Sequence, residues 1–223
     1  MTNNHNKTLS ASAFFLIIAA LHILGLLFND FLSFVTKPFI AISLVMVYLS
    51  AVNKASFWFV SALFFSFWGD LFLLLEAEFF MFGLVSFLMA HIFYIKISAG
   101  YLKKISFIKI ITASIPFIIV FGGVVFLINE RLGEMLFPVI MYGVVICSFG
   151  TLALLNYLQE KSTENLWFFL GAVFFILSDT LLAINKFYEA NEMFGISIMI
   201  TYIVAQFLIC KAMIGKSNRV LNS

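Results

Sequence analysis

Phe65-Ser-Phe-Trp-Gly-Asp-Leu-Phe-Leu-Leu74 is part of an apolar run long enough to cross a bilayer, yet it contains an acid, Asp70. A second stretch, Phe174-Phe-Ile-Leu-Ser-Asp-Thr-Leu-Leu-Ala183, repeats the same pattern around Asp179. A carboxylate at the centre of a membrane helix costs about 2.5–3.5 kcal/mol on insertion scales. Two acids in matched settings therefore predict one polar site built from both halves of the chain.

The composition indicates an all-α polytopic membrane protein. Hydrophobic residues make up 63% of the chain and charged residues only 11%, whereas roughly a quarter of the residues of a soluble domain are charged. Mean hydropathy is +1.10. Cys147 and Cys210 both lie in apolar runs and are interpreted as core thiols. The expected partners are membrane lipids and a lipid substrate, with no nucleic acid.

The apolar runs predict a single integral-membrane domain, 1–223, with eight transmembrane helices and a polar N-terminal tail, 1–10. About 20 residues suffice to cross the hydrocarbon. The predicted spans are about 11–28, 37–52, 57–75, 79–99, 105–128, 135–158, 165–187 and 193–214.

The basic residues predict the orientation of these spans. Eight spans would place ten of the 13 Lys and Arg residues on the side that holds both termini. By the positive-inside rule, both termini are then cytoplasmic, in a cytoplasmic-type membrane such as the bacterial inner membrane.

Further matches suggest an internal duplication. Met81-Phe-Gly83 and Met193-Phe-Gly195 each open a span, and eleven residues after the two glycines stand Tyr94 and Gln206. Spans four apart in sequence have the same direction. The matches therefore indicate a parallel four-plus-four helix repeat, with a site at the interface between the halves.

Several other polar residues are candidates for the same site. Ser66 is one helical turn before Asp70, and Lys186 is two turns after Asp179. The fourth and eighth predicted spans supply four more candidates: His91, Tyr94, Tyr202 and Gln206. Each of these side chains has a second interpretation, which is a hydrogen bond that only joins helix to helix. Lys37 is interpreted either as a snorkelling residue beside a helix-start proline or as a phosphate contact.

Two classes of hydrolase fit the sequence poorly. A metal hydrolase needs a cluster of three or more ligands, and the chain has three His in total. A nucleophilic hydrolase needs a base beside its Ser or Cys, but Ser66 has no His at helical spacing and Gly-x-Ser-x-Gly does not occur. We therefore expect no metal and no cofactor, and a pair of carboxylates that performs acid–base chemistry.

These motifs together resemble the YhhN family, whose characterised members are lysoplasmalogenases. The resemblance rests on Lys37-Pro38, Ser66-x-x-Gly-Asp70, Gly83 through His91-x-x-Tyr94, Gly171-Ala172, Ser178-Asp179-x-x-Leu-Ala183 and Thr201-Tyr202-x-x-Ala-Gln206. It implies hydrolysis of the vinyl ether bond of lysoplasmalogens to a fatty aldehyde and glycerophosphoethanolamine or glycerophosphocholine. Asp70 and Asp179 correspond to the family's two aspartates.

The resemblance suggests roles for the remaining candidates. Tyr202, Gln206, His91 and Tyr94 would orient water or the ether oxygen, and Lys37 and Lys186 would meet the headgroup phosphate. Two alternatives stay open. Buried acids in repeated helices also mark ion pathways, which favours a proton-coupled small transporter. The other alternative is a non-catalytic protein that binds lipid without consuming it.

Overall fold

The computed structural model describes residues 2–75 and 77–222 and is all-α. Its helices are α1 (Thr2–Phe28), α2 (Asp30–Ala51), α3 (Phe57–Leu74), α4 (Phe80–Tyr101), α5 (Phe107–Leu132), α6 (Leu136–Gln159), α7 (Thr163–Phe187) and α8 (Glu192–Asn222). Short 3₁₀ turns, Ala77–Phe79 and Gly133–Met135, precede α4 and α6.

The helices have the length and apolarity of membrane spans. Over the described residues, seven helical stretches are long and apolar enough to cross a membrane, and one of them, Phe107–Gln159, contains both α5 and α6. α5 and α6 pack against each other. The chain is thus an all-α integral membrane protein, and the predicted eight crossings and internal repeat stay predictions.

The chain forms two compact units. Unit 1 comprises Met1–Tyr94 and Ile209–Ser223, and unit 2 comprises Ile95–Leu208. Unit 1 therefore contains α1 to α3, most of α4 and the end of α8. Unit 2 contains α5 to α7, the end of α4 and the start of α8. Each unit is described by itself below.

The second helix begins earlier than the sequence predicts. The predicted start at residue 37 is wrong, because α2 begins at Asp30, directly after an N-terminal cap at Asn29. The Asn29 side chain accepts a hydrogen bond from the backbone N–H of Leu32, at 3.1 Å, as N-cap residues commonly do. Pro38 is consequently inside the helix, not at its start. Residues 2–10, predicted as a polar tail, belong to α1.

In unit 1, α1 and α2 form a tight antiparallel hairpin joined by the single residue Asn29. Gly25 makes the close approach possible, since a Cβ there would be 2.5 Å from the backbone nitrogen of Ser33. One turn earlier, His22 Nδ1 is 3.1 Å from both the Ser33 carbonyl oxygen and Thr36 Oγ1. The hairpin is therefore held by a glycine contact and by a buried histidine.

In unit 2, α5, α6 and α7 pack on one another. Phe149 and Phe168 meet edge to face across α6 and α7, with ring centroids 5.7 Å apart. Asn156 on α6 donates a hydrogen bond to the Ser98 carbonyl at the end of α4, at 2.9 Å. Buried amides of this kind satisfy backbone groups that have no access to water.

Gly25→Ala should lower the melting temperature of the detergent-solubilised protein, because its methyl group would collide with the backbone of α2. Overpacking of this kind costs about 1–3 kcal/mol. Gly122→Ala is the matched control, since a Cβ at Gly122 meets nothing within 4 Å. Equal melting temperatures for the two variants would contradict the described hairpin.

Candidate functional site

In unit 1, Asp70 lies on the buried face of α3. The buried positions of this helix recur every three or four residues, and they are Phe59, Ala62, Leu63, Ser66, Gly69 and Asp70. Asp70 is only 2% exposed and is four residues, about 6 Å, from the end of α3. A Cβ at the preceding Gly69 would be 2.5 Å from the ring of Phe87 on α4. The glycine thus lets α4 approach closely beside the acid.

The electrostatic surroundings of Asp70 include a lysine of the neighbouring helix. The Lys37 ammonium interacts electrostatically with Asp70 and also with His22 on α1. Because α2 begins at Asp30, Lys37 is about 10 Å inside the helix, and its side chain is half-buried. Unit 1 therefore contains an ammonium and a carboxylate that interact electrostatically within the apolar part of the fold.

The other predicted site residues of unit 1 are buried. The Ser66 hydroxyl donates a hydrogen bond to the Ala62 carbonyl one turn earlier, at 2.9 Å. His91 and Tyr94, both inaccessible to solvent, face each other on α4 with ring centroids 6.3 Å apart. The His22 ring nitrogen Nε2 is buried and, within the part of the chain that the structure describes, has no hydrogen-bond partner.

In unit 2, Asp179 on α7 is held by a tyrosine. The Tyr142 hydroxyl on α6 donates a hydrogen bond to Asp179 Oδ2 at 2.6 Å, near the short end of the range for O–H···O bonds. Next to Asp179, the Ser178 hydroxyl donates to the Ile198 carbonyl on α8 at 3.0 Å. Both bonds tie this part of α7 to its neighbours and fix the position of the acid.

The remaining predicted residues of unit 2 occupy α8 and the end of α7. Tyr202 packs edge to face on Phe175 of α7, with ring centroids 5.5 Å apart. Gln206 is fully buried, and its Nε2 is 3.4 Å from the Tyr202 hydroxyl. Lys186 is exposed in the last turn of α7. Its predicted contact with a headgroup phosphate stays a prediction.

An apolar cavity of about 60 Å³ opens beside Asp179. It is lined by α5, α6 and α7, with Phe117, Phe121, Ile146 and Ile176 on its apolar wall and Asp179 and Tyr142 contributing polar atoms. A single water needs roughly 10–15 Å³ of such space, so several heavy atoms fit. The cavity therefore suits a segment of hydrocarbon that ends at a carboxyl group.

Tyr142 was not among the site residues predicted from the sequence, although it lies beside Asp179 in the structure. A signal for it exists in the sequence, because it is a tyrosine inside an apolar span, one helical turn after Pro138, whereas membrane tyrosines concentrate at the interfaces. Lys37 was predicted only as a snorkelling residue or a phosphate contact, and its electrostatic interaction with Asp70 was not predicted. Among residues 2–75 and 77–222, no group of three or more His, Cys, Asp or Glu side chains is arranged to hold a metal ion.

The model of the YhhN family matches residues 32–213. The matched range includes every predicted site residue and leaves out α1, which contains none of the motifs quoted above. The comparisons with curated proteins and with solved structures found no significant match.

The hydrogen bond between Tyr142 and Asp179 should be measurable as a coupling energy. In a double-mutant cycle of Tyr142→Phe and Asp179→Leu, followed by thermal unfolding, we expect about 0.6–1.7 kcal/mol, the range for such bonds in membrane proteins. Tyr157→Phe on the same helix is the control, since the Tyr157 ring stacks on Phe169 at 6.0 Å. Similar coupling of Asp179 to both tyrosines would argue against the bond.

Proposed function

We propose that this chain, which belongs to the YhhN family, is a lysoplasmalogenase. It would hydrolyse the vinyl ether bond of a lysoplasmalogen to a fatty aldehyde and a glycerophosphoethanolamine or glycerophosphocholine. The observation that carries the proposal is the carboxyl group of Asp179, fixed by Tyr142 at the wall of an apolar cavity. A lysolipid offers matching chemistry, since its hydrocarbon chain leads directly to the reactive double bond.

Vinyl ether hydrolysis needs one proton donor and one carboxylate. The donor protonates the β carbon of the double bond and gives an oxocarbenium ion. Water then adds to this ion, losing a proton to the carboxylate, and the resulting hemiacetal collapses to an aldehyde and an alcohol. Positioned acids and bases typically contribute about 10²–10⁴-fold each to such reactions. Asp70 and Asp179 are the two residues that we propose for these roles.

The cavity supports an alkenyl chain as the ligand. Its wall is formed mainly by aromatic and aliphatic side chains of α5 to α7, which provide the apolar surface that binding sites for such chains need. In the same proposal, the headgroup phosphate contacts Lys186, and His91, Tyr94, Tyr202 and Gln206 orient water or the ether oxygen. The enzyme would lie in a cytoplasmic-type membrane with both termini in the cytoplasm.

Each of the two aspartates, Asp70 and Asp179, should be required for activity. Purified protein in detergent, given lysoplasmalogen, should release fatty aldehyde, and both Asp70→Asn and Asp179→Asn should reduce that release by about 10²-fold or more. Both variants keep the size of the side chain and remove its acid. Asp30→Asn is the matched control, because Asp30 is exposed in the first turn of α2, and it should retain wild-type activity.

Two results would count against this function. Well-folded wild-type protein that releases no aldehyde from ethanolamine or choline lysoplasmalogen, over a broad pH range, would refute the activity. Substantial turnover by Asp70→Asn or Asp179→Asn would instead refute the roles of these residues. Melting temperatures of all variants, measured in parallel, separate loss of chemistry from loss of fold.

A further inference from the structure

Another cavity of unit 2 lies far from Asp179. It is a groove of about 640 Å³ formed by the end of α6, the start of α5 and the connection that precedes α5, residues 102–106. Binding sites for small molecules commonly have volumes of roughly 300–1,000 Å³. Along α6, the groove residue Leu158 is sixteen residues, about 24 Å, from Tyr142. The groove is therefore separate from the cavity beside Asp179.

The groove carries positive charge. Lys104 from the connection and Lys109 from the first turn of α5 line it, and both are exposed. Two residues with hydroxyl groups, Ser106 and Thr112, also line it. None of the ten lining residues is an Asp or a Glu. A cleft lined by charges of one sign attracts ligands of the opposite sign, so this groove favours an anion.

The part of the groove contributed by α6 is mainly apolar. Leu154, Leu155 and Leu158 line it. Phe107 and Ile108, in the first turn of α5, are exposed, and such side chains of a membrane protein contact lipid tails, which are as apolar as leucine. A ligand that fills the groove thus meets ammonium groups and hydrocarbon together. A phospholipid combines the two matching parts, a phosphate and acyl chains.

The connection that carries Lys104 is fixed to α6. Gln159 Oε1 accepts a hydrogen bond from the backbone N–H of Lys103 at 3.1 Å, and Gln159 Nε2 donates one to the Lys103 carbonyl at 3.2 Å. These two bonds hold the residue next to Lys104 against the end of α6. The groove is thus largely pre-formed, which lowers the entropic cost of binding a ligand.

We propose that this groove binds one anionic phospholipid of the surrounding membrane, whose phosphate contacts Lys104 and Lys109 and whose acyl chains lie along the leucines of α6. Basic pockets between membrane helices bind the headgroups of anionic lipids. This lipid is not the substrate that we propose above. Only the glycerol backbone separates the phosphate of a lysoplasmalogen from its vinyl ether, whereas about 24 Å of helix separates the groove from the level of Tyr142.

Native mass spectrometry of the full chain in detergent tests this proposal. Given equal amounts of phosphatidylglycerol and phosphatidylcholine with the same acyl chains, the wild type should preferentially retain one phosphatidylglycerol. Lys104→Gln/Lys109→Gln should bind this lipid about 30-fold more weakly, because each lysine near a membrane surface contributes about fivefold. Its binding of phosphatidylcholine should not change. Lys7→Gln/Lys54→Gln, which removes two exposed lysines from unit 1, is the matched control and should bind as wild type.

Thermal unfolding distinguishes a bound lipid from a bound free anion. Phosphatidylglycerol should raise the melting temperature of the wild type, since a ligand of the folded state stabilises it. Glycerol 3-phosphate, which carries the phosphate without acyl chains, should not. Leu158→Gln keeps both lysines but makes the apolar part of the groove polar, and it should also weaken the retention of phosphatidylglycerol.

Four results would overturn the proposal. They are equal retention of the two lipids by the wild type, unchanged phosphatidylglycerol binding by the variant without Lys104 and Lys109, an equal loss in the control variant, and a thermal shift with glycerol 3-phosphate as large as that with the lipid. The single variants Lys104→Gln and Lys109→Gln, each expected to lose about fivefold in affinity, give the same test if the double variant unfolds. No arm depends on aldehyde release, so the outcome is independent of the proposed function.

Discussion

The energetic cost of a carboxyl group within the hydrocarbon part of a membrane has to be offset by the protein, since no bulk water is available there to solvate it. This constraint accounts for the positions of the most distinctive residues of the fold. Asp70 has an ammonium from the neighbouring helix, and Asp179 has a tyrosine hydroxyl. The two acids therefore interact with groups of different charge, an ammonium and a neutral hydroxyl.

Close helix packing accompanies both acids. Gly69 stands directly before Asp70 and leaves room for the ring of Phe87. Gly143 directly follows Tyr142, and a Cβ there would collide with the ring of Phe121. In both units a small residue next to the polar group lets an aromatic ring approach, as small residues do between membrane helices.

Much of the fold could be predicted from the sequence, because apolar runs in a membrane protein translate almost directly into helices. The limits of α3 to α7 were predicted to within four residues. The start of α2 was not, because Asn29 and Asp30 resemble a polar connection although they cap and open a helix. Lys37, predicted at the start of the span, therefore lies seven residues, about two turns, inside the helix.

The two candidate acids could be predicted from the sequence, but the tyrosine that contacts Asp179 could not. Asp70 and Asp179 are conspicuous because carboxyl groups are rare and costly inside apolar runs. Tyr142 is amphipathic and carries no comparable cost, so its contact with Asp179 depends on how α6 is rotated against α7. Helix rotation is set by side-chain packing, and no short motif in the sequence encodes it.

The single residue between α1 and α2 also has a consequence for how the protein is made. Because a single residue separates α1 from α2, we expect the two helices to insert into a bilayer together as one hairpin, with Lys37 in it, while α3 is still to follow. The long side chain of a lysine can extend towards the interface during that interval. Asp70 lies on α3, which follows this hairpin in the chain, so its electrostatic interaction with Lys37 can form only once α3 is in place.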